Sequence, residues 1–321
     1  MIDRLKEFFL KNKGHTFHVI IAIGAILAIP ASIAGVYQAC EKQDKPTNAT
    51  QAATALRTTS TAVPTTIDPE SPAYNMRLGD QYSEQGNHPA ARSCYEKAAV
   101  EHLALQGEYG RDYAWAMCNI GRTYYRDEDG DLGKALSYLN RAAAIYLKDE
   151  EGKENAAIVQ GSIEMAYVTW GDRWFAQGKQ FYKEKSYKDS IPHFEKAAEA
   201  YERAVDKRKH EHGDVFAHIG LAYYLGEDDY KSAIMYYEKA LSKFDDESIR
   251  RWMKMEMVDA YTDWAFIYWL DGDTDSAVLK ALAAYRIAKE ISYDTKTHLD
   301  ELREYYNFGG YNVSFDAWLK E

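Results

Sequence analysis

The chain has 321 residues, enough for a sizeable core in one elongated or two compact domains. Its 50 acidic against 39 basic side chains give a net charge of −11, which excludes a general nucleic-acid binder, since phosphate contacts need a basic face. Three cysteines (Cys40, Cys94, Cys118) are too few and scattered for a disulfide framework or a zinc site, and the near absence of alternating Val/Ile/Thr runs excludes a β architecture.

Residues 1–17 carry Arg4, Lys6, Lys11 and Lys13 and form a basic segment. Residues 18–37, HVIIAIGAILAIPASIAGVY, hold no acidic or basic residue apart from His18. A helix of that length spans roughly 30 Å, the thickness of a bilayer's hydrocarbon core. The stretch is therefore read as a single transmembrane helix, with Pro30 tolerated. Basic residues before it point to a cytoplasmic N-terminus and an extracytoplasmic remainder, periplasmic in a bacterium. Ser32-Ile33-Ala34 before Gly35 is a weak small-x-small cleavage site, so an uncleaved anchor and a removed signal peptide stay open; the long leader favours the anchor. Residues 38–72 form a Thr- and Pro-rich linker with eight Thr between 47 and 66, too polar to order itself. Asn48-Ala49-Thr50 and Asn312-Val313-Ser314 match the glycosylation sequon.

From residue 73 one pattern returns five times: a small residue, an aromatic three later, then small, bulky and Ala on a second helix. The units run Leu78-Gly79, Tyr82, Ala91, Tyr95, Ala98; Ile120-Gly121, Tyr124, Ala135, Leu139, Ala142; and Trp174, Gly178, Phe181, Ser190, Phe194, Ala197. The last two are Phe216, Gly220, Tyr223, Ala233, Tyr237, Ala240 and Tyr261, Ala265, Tyr268, Ala277, Ala281, Ala284. Small residues let the two helices of a hairpin approach closely, and aromatics fill the space between stacked hairpins. This pattern resembles the tetratricopeptide repeat family.

The resemblance covers residues 73–291 and implies a right-handed superhelix of about five stacked helical hairpins. The small positions Gly79, Gly121, Gly178, Gly220 and Ala265 lie 42, 57, 42 and 45 residues apart, longer than the family's usual 34, and each unit lacks the terminal Pro. Long helices are expected, with one leading into Trp174 in the 57-residue interval. Residues 292–321 are expected to supply a capping helix near 295–306 and a tail.

Chemistry-bearing strings are few. RDEDGDLG (126–133) and DGDTD (271–275) look like calcium loops, but their twelfth positions are Tyr138 and Leu282 where a bidentate Glu is needed; they read as turns between helices. His210 and His212 are expected in an interhelix loop, a poor metal pair. Cys94 and Cys118 leave two readings open, a pair across neighbouring helices or free buried thiols. No enzyme, cofactor or metal is expected.

In the family the first helix of each unit lines a concave groove. Carrying its positions over gives Asn119, Arg122, Tyr125 and Arg126 in the second unit and Phe175, Lys179, Tyr182 and Lys183 in the third. Tyr224 follows in the fourth, and the fifth places Thr262, Asp263, Phe266 and Trp269 on the same side. The resemblance thus implies a basic stripe interleaved with aromatics, suited to an acidic or C-terminal peptide; plain solvated surface is the bland alternative. The expected function is a non-enzymatic, membrane-anchored scaffold that binds a protein segment and assists assembly or folding of an envelope complex. The alternatives are a structural subunit that oligomerises through its repeats and a cytoplasm-facing sensor.

Overall fold

Ser71 sits in extended conformation and accepts a hydrogen bond from the Tyr74 amide at 3.2 Å, with Pro72 after it in the first helical turn. That cap opens the first helix, α1 (Pro72–Glu84). The computed structural model describes residues 71–148, 150–204 and 209–320. The basic segment, the stretch 18–37, the sequon at Asn48 and almost all of the linker lie outside the described residues. Among the described residues, no helix is long and apolar enough to cross a membrane.

Twelve α-helices and one 3-10 turn account for the described secondary structure. Helix α1 pairs with α2 (His88–Gln106), and α3 (Arg111–Arg126) with α4 (Leu132–Tyr146). After a 3-10 turn at Glu150–Gly152, α5 (Lys153–Lys183) pairs with α6 (Tyr187–Arg203). Then come α7 (Lys209–Gly226) with α8 (Tyr230–Leu241) and α9 (Glu247–Asp271) with α10 (Thr274–Glu290). Helices α11 (Thr295–Phe308) and α12 (Phe315–Trp318) close the C-terminal end. Each helix from α1 to α11 packs on the next, as stacked hairpins require.

The repeated positions do what their sizes predict. A Cβ on Gly79 would stand 2.5 Å from the Tyr95 ring, one on Gly121 2.7 Å from Leu139, one on Gly178 2.5 Å from Phe194, and one on Gly220 2.6 Å from Tyr237. In four hairpins, therefore, a glycine on the first helix receives a bulky side chain from the second. The fifth divides the volume differently, with Ala265 and Ala281 both buried.

The 57-residue interval is taken up by α5, whose 31 residues extend about 46 Å. Its N-terminal part buries Val159, Ile163 and Ala166 in the core shared with α3 and α4. Its C-terminal part lays Trp174, Phe175 and Tyr182 against α6 and α7. One helix thus belongs to two layers of the stack.

One expectation needs correcting. His210 and His212 lie within the first turns of α7, not in a loop, because Gly213 lets the start of that helix sit against Phe244, 2.7 Å from where a Cβ would be. The expected tail beyond 307 is partly packed on the capping helix. Phe315 is buried against Tyr306, whose hydroxyl donates to the Val313 carbonyl at 3.0 Å. Asn312 of the second sequon is exposed.

The acidic strings are turns. Asp131 accepts from the Lys134 amide at 3.0 Å and Asp273 from the Ser276 amide at 3.1 Å, capping α4 and α10. Among the described residues, no group of three or more His, Cys, Asp or Glu is placed to hold a metal. Cys94 and Cys118 are free and buried, and burial pushes both thiols up.

Candidate functional site

The first helices of successive hairpins touch one another directly, forming a wall of α3, α5, α7, α9 and α11. Arg122 of α3 donates from Nε to Ser162 Oγ of α5 at 3.0 Å. Phe175 and Tyr182 of α5 lie 5.1 and 5.8 Å, centroid to centroid, from the His218 ring of α7. Tyr224 of α7 donates to Asp263 Oδ2 of α9 at 2.6 Å, and Trp269 of α9 lies 6.0 Å from the Tyr305 ring of α11.

The candidate residues named from the sequence fall into two groups on this wall. Asn119, Tyr125 and Tyr224 are buried, at 6, 6 and 5% exposure. Asn119 Oδ1 accepts from Arg122 Nη1 at 3.3 Å, which orients the guanidinium. The Tyr125 carbonyl accepts from Arg173 at 2.9 Å, tying the end of α3 to α5. These three side chains build the wall and leave little of themselves for a ligand. Arg122 and Lys179 are half-exposed, and Arg126 and Lys183 exposed. The Arg122 guanidinium stands 5.0 Å from the Trp115 ring centroid, Arg126 5.9 Å from Tyr125, and Lys179 Nζ 4.7 Å from Phe175. Among the described residues, none of these four cations lies within ion-pair distance of a carboxylate.

Between α5 and α7 the wall is aromatic. The His218 ring contacts Phe175, Tyr182 and Phe194, and its Nδ1 lies 2.8 Å from the Asp214 carbonyl, to which it donates in the neutral tautomer. Burial, and then the charge of Lys179, holds its pKa down, so the ring is neutral. His212 is driven down to about 4 by burial and Lys243, and serves as a neutral core ring between Tyr201 and Phe216.

Farther along, the sign of the wall reverses. Glu256, Asp259 and Asp263 recur at helical spacing on α9, and the charge of Glu301 on α11 acts on Asp259. Burial pushes Glu256 up to about 7. Asp259 is raised well above the usual carboxylate range by burial, then by the charges of Glu256, Asp263 and Glu301. Of these four carboxylates only Asp263 is placed on the groove side by the repeat positions. Glu256 precedes the repeat motif, and the weight of Asp259 depends on α11, about forty residues away.

A family model described as tetratricopeptide repeat matches residues 70–148, and a second so described matches 214–242. No curated protein matches the chain by sequence. Among solved structures, MamA protein is 19% identical, covering 70% of this chain and 96% of its own, with a TM-score of 0.27. The TPR2AB domain of yeast Sti1 in complex with pHSP90 is 17% identical over 74% of this chain and 85% of its own (TM-score 0.29). Rap protein complexed with Competence and Sporulation Factor is 18% identical over 72% and 57% (TM-score 0.25). Likenesses this distant say nothing of what this chain binds. The two family matches coincide with the hairpins α1 to α4 and with α7 and α8, where glycines receive bulky side chains: residues 70–148 and 214–242 are similar to tetratricopeptide repeats.

Proposed function

We propose that the chain is a non-enzymatic scaffold whose repeat domain binds an extended acidic protein segment along α3 and α5. The observation that carries this reading is the set of unpaired cations. In a chain with 11 more acidic than basic residues, Arg122, Arg126, Lys179 and Lys183 stand on two consecutive wall helices without carboxylate partners among the described residues. Arg122 is also pre-oriented by Asn119 and Ser162, and an oriented guanidinium loses less freedom when it grips a carboxylate. Trp115 and Phe175 beneath the cations offer apolar surface to a peptide's side chains.

The apolar stretch 18–37 supports the further proposal that the scaffold is anchored by one transmembrane helix, with the repeats on the extracytoplasmic side. Protease accessibility of residues 47–72 in intact cells and spheroplasts tests it; cleavage only after lysis would place the repeats in the cytoplasm. For the binding reading, fluorescence anisotropy of a labelled peptide rich in Glu and Asp is measured on the full chain. Reversal of Arg122→Glu and Lys179→Glu is expected to weaken it by about tenfold or more, with a steep salt dependence. Unchanged affinity would remove these two residues from the site.

A further inference from the structure

The wall of first helices carries opposite charge in its two halves. Its α3–α5 half presents the four cations described above. Its α9–α11 half presents Glu256, Asp259, Asp263 and Glu301, and Lys or Arg is not within ion-pair distance of Glu256, Asp259 or Glu301 among the described residues. Asp263, 2% exposed, accepts from Tyr224, and its charge and that of Glu301 both act on Tyr305, so the carboxylates face the seam between α7 and α11. Burial, and at Asp259 the added charges of Glu256, Asp263 and Glu301, hold both carboxyls above their ordinary range.

A separate observation concerns buried polar side chains of the same two helices. His298 of α11 is 4% exposed, its Nδ1 stands 3.3 Å from Glu301 Oε2, and neither ring nitrogen has a hydrogen-bond partner among the described residues. On the facing helix α9, Thr262 Oγ1 and Trp269 Nε1 are likewise buried without partners. Buried polar atoms are normally satisfied, so these three side chains, beside carboxylates with no Lys or Arg within ion-pair distance, suit an occupant that brings hydrogen-bonding groups and positive charge.

We propose that the α9–α11 section is a second subsite, which takes Lys or Arg side chains of the same bound segment whose acidic stretch lies on α3 and α5. The partner is then a charge-polar segment, acidic toward one end and basic toward the other, and it binds in one orientation. This deepens the reading given above and rests on it for the acidic half. Two helix steps of about 10 Å separate α5 from α9, so about six extended residues separate the two charged blocks.

The test uses the full chain at pH 8 and three labelled peptides: an acidic tetrad, a basic tetrad, and both tetrads joined by six neutral residues. The joined peptide should bind about tenfold or more tightly than either tetrad. The pair Glu256→Gln and Asp259→Asn should weaken the basic and the joined peptides by about tenfold and leave the acidic one alone. Removing the same charge at the exposed pair Glu150→Gln and Glu151→Gln should change none of the three. If the basic peptide is indifferent to Glu256 and Asp259, or the remote pair weakens it equally, the second subsite is overturned whatever the acidic peptide does. If instead the acidic peptide alone is indifferent to Arg122→Glu and Lys179→Glu, the earlier reading fails and the basic subsite stands by itself. Melting curves of each variant confirm folding, and neutralising Glu256 and Asp259 is expected to raise the midpoint.

Discussion

A Cβ on Gly178 would stand 2.5 Å from the Phe194 ring, whereas one on Gly161, in the same helix α5, would meet nothing within 4 Å. The same substitution should therefore act with opposite sign at two places seventeen residues apart. Gly178→Ala should cost about 1–3 kcal/mol through overpacking. Gly161→Ala should stabilise by about 0.5–1 kcal/mol, because alanine restricts the unfolded chain and favours helix. Urea denaturation of both variants checks this; equal shifts would mean that the Gly178–Phe194 contact does not limit the packing. Glu256 gives a second prediction. Its folded-state pKa of about 7 lies above the ordinary value of 4.5, so the native state holds the proton more tightly than the unfolded one. The resulting stability is present below about pH 4.5 and is lost as pH rises through about 7. Glu256→Gln lacks this term, so its melting midpoint should gain on wild type between pH 5 and 8, then run parallel. A constant difference over that range would show that Glu256 ionises normally in the fold.

The turns within hairpins share a grammar that tolerates different residues. A left-handed residue follows the first helix at Gly86, Lys185, Asp228 and Gly272, with φ of 76°, 61°, 57° and 82°. The next residue is Asn87, Ser186, Asp229 or Asp273, and three of these cap the second helix through their side chains. The Asn87 and Asp229 side chains accept from Ala90 and Ser232 amides at 3.2 and 3.0 Å. Glycine adopts the left-handed conformation without strain, whereas lysine does not. Lys185→Gly should therefore stabilise the α5–α6 hairpin by about 1 kcal/mol, and Gly272→Ala should destabilise α9–α10 by a similar amount. Thermal unfolding of the two variants is the measurement; a loss on Lys185→Gly would mean that the lysine side chain contributes more than its strained backbone costs.

A stack of hairpins in which each layer touches only its neighbours depends on its ends. Leu302, Tyr305, Tyr306 and Phe315 cover Val278, Ala281 and Tyr285 of α10 and thus close the core. Ending the chain after Glu290 would expose that face. Such a truncation should lower the melting midpoint and bind a hydrophobic dye, while hydrogen exchange in α3 and α4 stays near that of the full chain. An unchanged midpoint would show that α11 and α12 are accessories to a stack already closed.

The hairpins were legible because their information is local. Gly79 and Tyr95, or Gly220 and Tyr237, lie within about one hairpin of each other, and a close approach demands a small residue opposite a large one wherever the turn length is kept. The capping helix and the long helix before Trp174 follow from the same spacing, and the long α5 bears this out. What joins first helix to first helix lies about forty residues apart and obeys no period. Only the tertiary structure showed Tyr224 spent on Asp263, Arg122 held by Ser162, and Asp259 facing Glu301 with no Lys or Arg within ion-pair distance of either among the described residues. Side-chain size repeats because packing repeats in each layer. Charge does not repeat, because it answers to whatever lies across the wall, and that is decided only when the layers are stacked.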